Sequence, residues 1–172
     1  FDTMELTTDE IRAGLRAGYL KGEIMPVFAI SGKKDVGVKR LMEFTINVGV
    51  SPLGTVAKTK EGGEILCDPN GPVSLFIYKT AVEQHLGDVA YFKVLSGVLN
   101  EGADLTNPET GNNDRLSAIY AVAGAKKEKV SSINAGDIGC VMKLKNSKTD
   151  VTLAAPGVDP IEHMKFPDAK YR

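Results

Sequence analysis

The sequence predicts a mostly β protein: a closed six- or seven-stranded barrel, preceded by a helix–strand–helix remnant of an α/β domain. Three observations carry this prediction. From Val73 onward, short runs rich in β-branched and aromatic residues alternate with clusters of Gly, Asn, Asp and Pro, which is all-β spacing. Before residue 50, apolar residues recur at helical spacing on either side of one short apolar run. Between the halves, Gly54, Gly62, Gly63, Pro69, Asn70 and Gly71 break any period. The implied organisation is an α/β segment over 1–50, a linker or extended loop over 51–71, a barrel over 72–157 and a connecting tail over 158–172.

Thr7, followed three residues later by Glu10, has the form of a capping box, so a helix should start there. Ile11, Gly14, Leu15, Gly18 and Tyr19 fall on one helical face, where the two glycines allow close approach to a neighbour. Gly22 suits the left-handed turn that ends the helix. Ile24 to Ile30 is a nearly continuous apolar run with Pro26 near its start, which predicts a buried strand at a sheet edge. Val38, Leu41, Met42, Thr45 and Ile46 restore helical spacing from Gly37 to about Val48, and Ser51-Pro52 ends it. A single strand between two helices has no sheet of its own, so this portion needs partners.

The barrel strands are predicted at Val73 to Lys79, Asp88 to Leu95, Arg115 to Val122 and Ile138 to Leu144. Shorter ones are expected around Ala103 to Thr106, Lys127 to Val130 and Val151 to Leu153. Closure would remove their exposed edges. There is no internal repeat and no low-complexity run.

Lys plus Arg total 21 against 22 Asp plus Glu, a net charge of -1. A chain so balanced has no overall pull on a polyanion, and any nucleic-acid contact must come from a local patch. Cys67 and Cys140 are far apart and lack the spacing of a zinc or redox motif, which fits free thiols in a reducing cytoplasm. No apolar run approaches the ~20 residues a bilayer span needs. No signal-peptide pattern and no Asn-x-Ser/Thr acceptor is present, and Phe1 without an initiator Met reads as the start of a piece cut from a longer chain.

Catalytic motifs are missing. Without Gly-x4-Gly-Lys-Ser/Thr there is no backbone cradle for nucleotide phosphates, so the piece is not expected to hydrolyse nucleotide. Asn146-Ser147-Lys148-Thr149-Asp150 resembles a base-reading Asn-Lys-x-Asp only superficially; its spacing is wrong and a turn is expected. His85 and His163 read as surface residues with no triad, carboxylate cluster or metal set around them.

Glu23-Ile24-Met25-Pro26-Val27-Phe28-Ala29-Ile30-Ser31-Gly32-Lys33-Lys34-Asp35-Val36-Gly37-Val38 is similar to the strand, turn and helix start that closes the guanine-nucleotide domain of the elongation factor G family. Phe92-Lys93-Val94-Leu95-Ser96-Gly97-Val98-Leu99-Asn100-Glu101-Gly102 resembles the strand pair of that family's second domain, with Ser96-Gly97 and Glu101-Gly102 supplying positive-φ positions. Lys127-Glu128-Lys129-Val130 and Asn134-Ala135-Gly136-Asp137-Ile138-Gly139 match further stretches in order, and Ile161 to Pro167 is similar to the connection into the third domain. The resemblance implies that the longer parent is a translational GTPase that binds GTP with magnesium, engages the ribosome and promotes movement of tRNA and mRNA. Its barrel would pack on its own G domain and touch small-subunit RNA, with later domains following. The turn Ser31, Gly32 and Lys33 would be the guanine-contacting element, through main-chain N–H groups and only in the full-length parent. No metal site is expected in this piece.

The departures are specific. Where the family usually has Met-His-Ala-Asn-x-Arg, this chain has Val122-Ala123-Gly124-Ala125-Lys126-Lys127, and where Asp-Pro-Phe is common it has Glu83-Gln84-His85, which suggests a divergent or paralogous member. Lys126, Lys127 and Lys129 are the candidate phosphate contacts, with Lys143, Lys145 and Lys148 next. Glu128 interrupts the first group and no aromatic residues interleave with it in sequence. Two further readings are a stand-alone oligonucleotide-binding barrel, against which the missing aromatic platform counts, and a barrel of an unrelated enzyme, against which the lack of a convergent polar cluster counts.

Overall fold

The computed structural model describes residues 5–144, 146, 148–163 and 167, and the chain divides into two compact units between Ser51 and Pro52.

In the first unit, α1 (Thr8–Leu20) starts where the capping box places it: Thr7 Oγ1 accepts from the Glu10 N–H and Glu10 Oε2 accepts from the Thr7 N–H at 2.8 Å. At the other end Gly22 has φ +71, and the Glu23 N–H reaches back to the Gly18 carbonyl at 2.9 Å. Gly18 is the glycine that a neighbour approaches, since Ile24 folds over it; Gly14 faces open space. The predicted strand does not form. Ile24 to Ile30 pairs with no strand, and Met25 and Val27 are 87% and 93% exposed. A strand exists only where a neighbour satisfies its backbone groups, and the described residues of this unit offer none. What holds the segment is Phe28, edge-on to Phe44 at 5.0 Å between centroids, with Tyr19 at 6.3 Å from the same ring. One 3₁₀ turn, Gly32–Lys34, then leads to α2 (Val38–Asn47), capped by Gly37 at φ +74.

In the second unit, residues expected to be a linker or extended loop instead form a hairpin, β1 (Val56–Lys58) with β2 (Glu64–Leu66), turning at Gly62. Glycine density marked the turn and concealed the short strands beside it. There follow β3 (Ser74–Glu83), β4 (Gly87–Ser96), β5 (Val98–Asn100), β6 (Ala103–Thr106), β7 (Asn113–Leu116), β8 (Ile119–Ala123), β9 (Lys126–Val130), β10 (Ser132–Asn134), β11 (Ile138–Met142) and β12 (Val151–Ala154). Eight of them make one antiparallel sheet in the order β7-β6-β12-β3-β4-β11-β8-β9, while β5 and β10 pair separately. The mostly β class holds, but six or seven strands is an undercount. The run Arg115 to Val122 is two strands, because the chain turns at Ser117-Ala118, and β5 and β10 are too short to show a period. The sheet curls into a half-barrel, and among the described residues no ladder joins β7 to β9 to close it.

Period-2 alternation sends Leu75 and Ile77 of β3, Ala90, Phe92 and Val94 of β4, Val141 of β11 and Leu153 of β12 into one core, joined by Leu99, Leu105, Leu116, Ile119 and Ile133. Each large side chain buried there contributes about 1.5–3 kcal/mol. Gly97 and Gly102 take the positive φ values the sequence demanded of them, +76 and +81. At Gly97 the backbone of Gly71 and Val73 also stands where a side chain would be, so both φ and space require glycine.

Candidate nucleic-acid interface

With Phe92 and Val94 inward, Tyr91 and Lys93 of β4 must point to the outer face. The same parity places Ile138 and Cys140 of β11 and Tyr120 and Val122 of β8 outside, since Val141 and Ile119 are in the core. Ladder register then aligns Lys79, Tyr91, Cys140, Tyr120 and Lys129 in one row across five strands. Beside it, Lys93 lies opposite Ile138, and Val122 opposite Lys127.

The three lysines singled out from the sequence are therefore not one patch. Lys127 and Lys129 share the outer face, whereas Lys126 has the opposite parity and pairs with Glu128 at 3.6 Å. Lys127 is the least exposed, at 12%, and its Nζ lies 2.7 Å from Glu83 Oε2. Glu83 also accepts from the Tyr91 hydroxyl, and Lys79 and Lys127 stand 5.4 and 5.8 Å from the Tyr91 ring centre. The hydrogen bond from Lys127, then that from Tyr91, holds the Glu83 carboxyl below its usual range; Glu83 in turn raises the Lys127 ammonium and the Tyr91 phenol. Lys129 is raised by its own 2.7 Å partner, Glu101. Cys140 is fully buried under this layer, and burial pushes its thiol up, as it does the Tyr78 phenol nearby.

Aromatic interleaving, absent from the linear sequence, is thus supplied by the fold. Lys93 follows Tyr91 on the same face of β4, but Lys79 and Lys129 reach Tyr91 and Tyr120 from neighbouring strands, which only register reveals. Lys79, Lys93, Tyr91, Tyr120 and Glu83 went unrecognised for the same reason. Of the second lysine group, Lys143 takes a left-handed φ of 61° after β11, Lys148 lies beside Thr80 and Val82 of the β3–β4 hairpin, and Lys145 lies outside the described residues.

In the first unit, Ser31 and Val36 exchange backbone hydrogen bonds at 2.9 and 3.1 Å around the 3₁₀ turn. The Gly32 and Lys33 N–H groups head that turn and have no acceptor within it. His85 is an exposed turn residue with φ +70. His163 is exposed as expected but not isolated, because Glu109 and Asp150 flank its ring. Among the described residues no His, Cys, Asp and Glu group is arranged to hold a metal, and no helix is long and apolar enough to cross a membrane.

Residues 72–155, which span β3 to β12, match the family model described as elongation factor G domain 2. By this match, residues 72–155 are a domain of the elongation factor G domain 2 type. The domain 2 sheet and its outer lysine and tyrosine rows lie inside the matched region. The whole chain is also similar in fold to a crystal structure of a Thermus thermophilus protein, with a TM-score of 0.73 and 24% identity over 98% of this chain and 24% of that one. The chain thus spans about a quarter of the length of that structure.

Proposed function

We propose that this chain is the stretch of an elongation factor G-like translation factor that runs from the end of the guanine-nucleotide domain through domain 2. On this reading residues 1–50 are the G-domain end, 51–71 lead into domain 2, the barrel occupies 72–157 and 158–172 connect to the third domain. The observation that carries it is the domain 2 match laid over a unit with that fold. The parent would bind GTP and magnesium, work in the cytoplasm and promote movement of tRNA and mRNA on the ribosome. The described residues offer guanine the Ser31, Gly32 and Lys33 main chain, and the sequence carries no Gly-x4-Gly-Lys-Ser/Thr, so nucleotide hydrolysis is assigned to the longer parent.

Contact with small-subunit RNA is assigned to the outer face of the sheet. Lys93 and Lys129 are its best cations: Lys129 is paired with Glu101 but stays 57% exposed, whereas Lys127 is 12% exposed and held between Glu83 and Tyr91, and Lys126 faces the other way. Phosphate contacts by lysine are sequence-independent and release counterions. The test is small-subunit affinity of the full-length parent over a salt series. Lys93→Ala and Lys129→Ala should each weaken binding and flatten the salt slope by about one, with Lys126→Ala nearly silent. Unchanged affinity and slope in the first two, with unchanged melting, would move the contact off this face.

A further inference from the structure

Three segments remote in sequence converge at the end of the described chain. Ile161 bridges to Thr59; the Lys60 N–H donates to the Pro160 carbonyl at 2.9 Å, and the Glu162 N–H to the Lys58 carbonyl at 3.0 Å. The Ile161 N–H reaches Thr152 Oγ1 at 3.1 Å. Residues 160–163 are thereby laid as a strap along the β1–β2 hairpin. At its tip His163 Nδ1 lies 2.9 Å from Asp150 Oδ2 and Nε2 lies 2.9 Å from Glu109 Oε1, while Lys60 Nζ sits 2.7 Å from that same Glu109 oxygen.

Ionised carboxylates only accept hydrogen bonds, so a ring flanked by two of them satisfies both contacts only when both nitrogens carry hydrogen. We infer that His163, as an imidazolium bridging Glu109 and Asp150, is a pH-released clasp that holds the 160–163 strap on the β1–β2 hairpin and frees it when the ring loses its proton. A neutral ring must turn a lone pair toward one carboxylate, which exchanges a charge-assisted bond for repulsion.

Among the described residues, the charged groups around the ring are Glu109 from the β6–β7 loop, Asp150 from the turn before β12, Lys60 from the β1–β2 turn with Glu61 beside it, and Glu162 on the strap itself. Hydrogen bonds to Glu109, then to Asp150, raise the His163 pKa above its ordinary value, and hydrogen bonds from Lys60, then His163, lower that of Glu109. The histidine contribution is therefore complete below the unfolded value of about 6.5 and is lost as pH rises through the higher folded value. The Glu109 contribution is lost on the acid side, as pH falls through its depressed value. The clasp is thus closed between the depressed Glu109 value and the raised His163 value, and it opens as pH rises through the latter.

The experiment uses the full chain, with the His163 ring followed by NMR across pH and backbone amide exchange corrected for its intrinsic pH dependence. His163 should titrate above about 6.5, and the Glu162 and Lys60 amides should lose protection across the same titration while Phe92 keeps its own. In His163→Gln that protection should be gone at every pH with the barrel amides unchanged, and Glu109→Gln should move both titration and release to lower pH. Titration of His163 at or below the ordinary value, or equal Glu162 and Lys60 protection in wild type and His163→Gln at every pH, would overturn the clasp.

Discussion

Domain 2 hides Leu75, Ile77, Phe92, Val94, Leu116, Ile119 and Leu153 completely. In residues 5–51 only Gly18 and Val48 are buried, and Met25, Val27 and Ile46 are 87%, 93% and 77% exposed. Both regions carry clear apolar periodicity, so periodicity is not what separates them. The difference is where the partners come from. Antiparallel strands recruit each other through short turns, such as residues 84–86 between β3 and β4, and so a single stretch of chain completes its own core. A lone apolar run between two helices belongs to a kind of sheet whose neighbours arrive through crossover connections, and those neighbours are not among the described residues.

The largest effect that tests this contrast is in the core. Phe92→Ala should cost domain 2 about 3–5 kcal/mol, read by thermal or denaturant melting, whereas Ile46→Ala, on an exposed helical face, should shift the same transition by less than about 0.5 kcal/mol. A comparable loss from both would mean that the first unit is part of the same cooperative core. Next come the glycines. Gly97→Ala meets the Gly71 and Val73 backbone and a left-handed φ together, and should cost on the order of 3 kcal/mol. Gly32→Ala finds nothing within 4 Å of the new methyl, so its effect on the melt should stay within about 0.5 kcal/mol.

Local signals were legible in the sequence because their physics is local. The Thr7–Glu10 capping box, the Gly22 stop and the turns at Gly97 and Gly102 each depend on a few adjacent residues and stand where expected. The all-β class followed from strand and turn spacing, but the strand number did not, since β7 and β8 read as one run and the β1–β2 hairpin sits in a glycine-rich stretch. The candidate site was legible only in part. Lysine density around residue 127 pointed to β9, yet period-2 parity divides Lys126 from Lys127 and Lys129. Only cross-strand register sets Tyr91 and Tyr120 among the lysines. The His163 clasp draws on residues 60, 109, 150 and 163, and no linear pattern joins positions so far apart.

Residue-resolved hydrogen exchange on dilute, monomeric chain tests the central contrast most directly. The account predicts that the amides of Ile77, Phe92, Val94 and Leu153 exchange only through global unfolding of domain 2, while those of Ile24, Met25 and Val27 to Ile30 exchange as openly as an unpaired segment. Protection of that segment equal to the domain 2 strands would contradict it, and would show that residues 5–51 complete a core of their own.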